Sequence, residues 1–151
     1  MKNLFDKASA DELKQRLACL AVDSPRQWGK MNPAQAVAHC ALALQLPSGE
    51  WKPPGAALPV RILGRLIKPL ALGDDKPIRR NSPTLKDLII ADERTLAIER
   101  ERLNTAIDRF VAAGPSGCTD HPHSFFGRLN PEEWAILMYK HVDHHLRQFG
   151  V

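Results

Sequence analysis

Cysteine is scarce in this chain of 151 residues: Cys19, Cys40 and Cys118 are odd in number and widely spaced, with no CxxC pair. That speaks against a disulfide framework and a thiolate zinc knuckle, and leaves three free thiols. Long uncharged apolar runs are absent, so no stretch is suited to span a bilayer, and Met1 to Lys7 lack the apolar centre of a secretory signal. A cytoplasmic location is the default expectation. Missing too are internal repeats, low-complexity runs and any alternating pattern long enough for a sheet. What is present is ordinary for a globular protein, with 44% hydrophobic and 25% charged residues. The length suits one domain, residues 1–151, whose core needs neither disulfides nor a structural metal. Any bound metal is therefore expected to serve function. A net charge of +4 is too diffuse to name nucleic acid as a partner, and anionic small molecules fit it equally well.

Four segments carry helix punctuation. Ser9-Ala-Asp-Glu12 has the spacing of a capping box and precedes Leu13, Leu17 and Leu20. Asn32-Pro33 pairs an N-cap with proline at the first helical position, and predicts a helix through His39 to about Leu46, ended by Pro47-Ser-Gly49. The longest runs from about Ser82-Pro83 to Ala113-Gly114, with Leu85, Leu88, Ile89, Leu96, Leu103, Ile107 and Phe110 recurring at three and four residues. Asn130-Pro131-Glu132-Glu133 opens the last, with carboxylates that suit the helix dipole. Four amphipathic helices predict an all-α, four-helix bundle. Residues 47 to 83 hold seven of the twelve prolines and form an irregular connection between helices 2 and 3. A short helix fits within Leu58 to Leu72, where Val60, Ile62, Leu63, Leu66, Ile67 and Leu70 interleave with Arg61, Arg65 and Lys68. It reads as a surface element packed across the bundle or as a lid, and is too broken by proline for membrane-surface binding.

His141 and His145 lie four residues apart on the last helix, about 40° apart on its apolar stripe. Two polar rings there require partners, either interhelical hydrogen bonds or a shared divalent ion, to which neutral imidazole offers a lone pair. Two ligands are too few for a stable site. His39 is the candidate third, on the inward stripe of the second helix, where Ala36 and Ala43 leave room. Cys40 lies about 100° around that helix and His144 roughly 60–100° from the pair, so neither is expected to share the ion. Asp143 and Gln148 can at most orient ligands. Val142 stands where HExxH requires glutamate, which disfavours a zinc peptidase. Asp92 and Glu99 fall in the third apolar stripe as a further ligand or as carboxylates at the bundle mouth, and His121 and His123 sit in a Pro/Gly-punctuated loop suited to capping the bundle.

A histidine on the second helix followed by HxxxH on the last resembles the DinB/YfiT-like superfamily of metal-dependent four-helix bundles. Trp28-Gly-Lys-Met31, His121 to Gly127, Asn130 to Trp134 and Lys140-His-Val-Asp-His-His-Leu-Arg-Gln-Phe-Gly150 look more closely like one of its bacterial branches, which has no assigned reaction. The resemblance implies that His39, His141 and His145 hold a divalent ion, zinc or nickel, with one position open to water or a thiol. Some members of the superfamily conjugate low-molecular-weight thiols to electrophiles. Thiol S-transfer is the leading functional expectation, with metal-dependent hydrolysis behind it and a non-catalytic metal-binding or stress-response module as the rival. Arg61, Arg65, Arg79 and Arg80 are available to attract an anionic thiol. A homodimer through an apolar bundle face or the 58–72 stretch is compatible with the pattern.

Overall fold

The computed structural model describes residues 1–151 and is all-helical, without strands. Five helices exceed ten residues: α1 (Lys7–Cys19), α2 (Pro33–Ala43), α4 (Leu58–Leu72), α5 (Leu96–Ala113) and α6 (Pro131–Arg147). A single turn, α3 (Gln45–Ser48), follows α2, and 3-10 turns occupy Lys86–Leu88 and Pro115–Gly117. α1 and α2 each pack against both α5 and α6. The four enclose one apolar core that includes Leu13 and Leu17, Val37 and Cys40, Leu103 and Ile107, and Trp134, Met138 and Val142.

The helix starts follow from their caps. Asn32 and Asn130 each accept from the backbone N–H three residues on, while Gln35 and Glu133 return the bond to the cap. Each reciprocal cap stabilises its helix by about 1 kcal/mol. The first helix departs from expectation. Asp6 caps it by accepting from the N–H groups of Ala8 and Ser9 and from the Ser9 hydroxyl, so it begins two residues before Ser9. The helix over Asn32 to Leu46 likewise closes at Ala43 before the separate α3 turn.

The largest correction concerns the helix expected from Ser82 to Ala113, which begins only at Leu96. Asn81 takes a left-handed φ of 57°, and Pro83 removes a donor close by. From there the chain runs along α2, whose side chains take two of its carbonyls. His39 Nδ1 bonds Leu88 O, and Gln35 Nε2 donates to Asp92 O. Those bonds replace the ladder a helix would have used, and only Leu88 of the Leu85–Ile89 run is fully buried.

The short helix expected within Leu58 to Leu72 forms over that whole span as α4. Gly64 presses it onto the 123–127 loop so closely that an added Cβ would lie 2.0 Å from Phe125 O. Lys140 fastens its C-terminal end to α6 by donating to Ala71 O at 2.6 Å and Asp74 O at 2.8 Å. No helix is long and apolar enough to cross a membrane.

Candidate metal centre

His39, His141 and His145 converge where α2 meets α6, their ligand atoms all within 4.8 Å of one another. His39 is buried, and the small neighbours Ala36 and Ala43 are buried beside it. His39 Nε2 and His141 Nε2 stand 2.8 Å apart.

The outer nitrogens fix two of the rings. Leu88 O can only accept, so His39 Nδ1 donates to it at 2.7 Å and the neutral ring keeps its lone pair on Nε2. Gln148 is oriented by donating from Nε2 to Trp28 O at 2.8 Å, which turns its Oε1 toward His145. His145 Nδ1 donates to that oxygen at 2.9 Å, and its Nε2 is the bare nitrogen. Gly29 makes the approach of Gln148 possible: at φ 78° it accepts a conformation other residues resist, and a Cβ there would lie 2.5 Å from Gln148 Nε2. With Nε2 of His39 bare, the proton in the 2.8 Å contact belongs to His141 Nε2, and a cation would take its place.

Electrostatics favour the neutral rings. Burial lowers His39, against the Leu88 bond that favours its charged form. Burial drives His141 well below the usual histidine range, helped by the nearby His39 and His145, and pushes His145 down to about 3. Near neutral pH the cluster therefore offers lone pairs rather than charges. The donor set suits a borderline-soft divalent cation. Two nitrogens on one tetrahedral ion at about 2.0–2.1 Å lie roughly 3.3 Å apart. The observed separations, from 2.8 Å to at most 4.8 Å, bracket that edge, so adjustments within side-chain reach would bring three histidines onto one ion.

The other candidates lie elsewhere. His144 faces away, its Nδ1 bonded to Ile78 O at 3.2 Å and its Nε2 accepting from Trp28 Nε1 at 3.4 Å. It fastens the 78–80 segment, where Arg80 lies 4.4 Å from the Trp28 ring centroid. Cys40 is in the core, its thiol pushed far up by burial. Asp143 is held by Arg16 and Arg147 rather than by a histidine. Asp92 pairs with Arg94 outside the site, and buried Glu99 pairs with Arg94 and Arg102. His123 accepts from the N–H groups of Phe125 and Phe126 and closes its loop, while His121 is exposed. Sequence reasoning missed the carbonyls of Trp28 and Leu88, which no side chain advertises. Only the glycine after Trp28 hints at one of them.

The molecule is thus an all-helical protein with three histidines from two helices gathered into a cluster able to hold a metal ion. Over residues 3–150 it belongs to the family described as "Protein of unknown function (DUF1569)". Comparison with curated proteins and with solved structures returned no match.

Proposed function

We propose that this chain is a divalent-metal-dependent enzyme of the DinB-like kind, with α1, α2, α5 and α6 as its four-helix bundle and His39, His141 and His145 as its ligands. The observation that carries the reading is the fixed outer bonding of His39 and His145, which aims two bare Nε2 atoms at the same point as His141. Orienting partners of this kind are a regular property of histidine metal sites. Zinc or nickel suits three imidazoles. When bound, such an ion supplies a Lewis-acid position that stabilises the anion of a water or a thiol.

The leading reaction is transfer of a low-molecular-weight thiol to a small electrophile. One S–C bond forms, the bond from carbon to its leaving group breaks with its electron pair, and the thiol proton passes to solvent. Metal-dependent hydrolysis would call on the same three histidines, with water in place of the thiol. Burial keeps the three imidazoles neutral, the chain's own bonds orient His39 and His145, and Arg80 over the Trp28 ring offers charge to an anionic thiol. The rival is a non-catalytic metal-binding module.

Elemental analysis of the purified protein beside His141→Ala tests the site. We expect about one metal per chain in the wild type and little in the variant, and equal content in both would overturn the assignment. Turnover of an electrophile that needs both metal and added thiol supports transfer. Activity unchanged by metal removal would eliminate catalysis at this site.

A further inference from the structure

Most of the exposed large aliphatic residues of the molecule lie on α4. Leu58, Ile62, Leu66 and Leu70 recur every four residues and are 67%, 51%, 72% and 71% exposed. Pro59, Leu63 and Ile67 widen the stripe, while Arg61, Gly64, Lys68 and Leu72 occupy the opposite side. α4 therefore lies with its apolar face outward and its polar face on the protein. The inward side is satisfied: Lys68 pairs with Glu133 at 2.7 Å, and the stems of Arg61 and Arg65 lie over Gly55 and Gly127.

We propose that this face is the contact between two copies of the chain, joined by antiparallel pairing of their α4 helices about a two-fold axis near position 64. Three observations select a second copy. The stripe is symmetric about that position, so Leu58 meets Leu70 and Ile62 meets Leu66 of the partner copy, as an isologous contact requires. Arg61 and Lys68 lie on the side of α4 turned to the protein, so neither stands in the seam between the two stripes. Seven exposed aliphatic side chains on one helix leave more contiguous apolar surface open than an isolated surface residue explains, and a stable interface, at roughly 800 Å² per partner, needs a patch of this kind. A lipid surface is the poorer occupant, because cations that would reach headgroups beside the stripe are drawn back onto the protein body.

Sedimentation equilibrium of the full chain at micromolar concentration is the test, with two double variants: Ile62→Glu with Leu66→Glu, and Ile62→Lys with Leu66→Lys. All four substitutions fall on exposed side chains, so helix content and melting temperature serve as folding controls. We expect a dimer for the wild type, monomers for each variant alone with association weakened at least 100-fold, and a heterodimer when the two variants are mixed. A monomeric wild type, including one that sediments with anionic vesicles, would overturn the proposal. So would variants that stay dimeric alone, or oppositely charged variants that fail to join. Metal content is read on the same samples and is expected to be unchanged, which separates this contact from the histidine site.

Discussion

Gln148 is the residue at which the orientation of the histidine cluster can be perturbed without touching a ligand. It is 2% exposed, donates to Trp28 O and accepts from His145 Nδ1. Gln148→Leu keeps the volume and removes both bonds. The Trp28 carbonyl and the His145 N–H are then left unpaired, and each buried group so stranded costs about 1–3 kcal/mol. His145 is also free to move its proton to Nε2, the nitrogen a metal would need bare. Loss of such an orienting partner weakens metal binding about 10–100-fold, which is roughly 1.4–2.7 kcal/mol. Gln148→Glu separates the two effects. Its carboxylate still accepts from His145 but offers nothing to Trp28 O, so metal affinity is expected to hold while the metal-free protein loses stability. Chelator competition measures the first quantity and urea unfolding of metal-free protein the second. A folded Gln148→Leu protein that binds metal as tightly as wild type refutes the tautomer argument. A Glu variant as weak as the Leu variant reassigns the effect to packing at the end of α6.

Gly29→Ala should act on the same chain of contacts, because the new Cβ meets Gln148 Nε2 at 2.5 Å on a backbone at φ 78°; a loss of about 1–3 kcal/mol in thermal unfolding is expected, and an unchanged melting temperature would count against it. His123, pushed down to about 4 by burial, titrates only near pH 4 when folded but near 6.5 when unfolded, so the unfolded chain binds more protons in between. Its contribution is complete above pH 6.5 and is lost as pH falls through 4, a slope on the order of 1.4 kcal/mol per pH unit; because burial lowers His39, His141 and His145 too, the measurement is the difference between wild type and His123→Phe, and equal slopes in the two would contradict the assignment. A thiol reagent should label exposed Cys19 first, partly buried Cys118 next and Cys40 only on unfolding. Fast labelling of Cys40 in folded protein would show that the core is open there.

The three histidines were legible because helix periodicity placed each on an inward stripe, where a polar ring demands a partner. The asparagine caps were legible as well, since a cap is a local chemical event. The region from Ser82 to Arg94 was not: Leu85, Leu88 and Ile89 carry a helical period, and the bonds that hold this stretch along α2 instead of in an α-helix come from His39 and Gln35, more than forty residues away. The same limit hid the carbonyls of Leu88 and Trp28, which are backbone groups present at every position. Periodicity marked α4 as amphipathic without telling which side the fold would cover. That choice was made by Gly64 and the Lys68–Glu133 pair, whose partners are distant in sequence.

His39 and His141 are separated by 102 positions, and the groups that orient the cluster come from Trp28, Leu88 and Gln148. A ribosome-bound chain that has not yet released α6 holds only one of the three imidazoles. The cluster consequently assembles only once α2 and α6 have packed together, so its geometry is a product of tertiary structure rather than of any local segment. A cation offered to such a cluster would meet distances set by helix packing, and the fit of the ion to them would decide which is held.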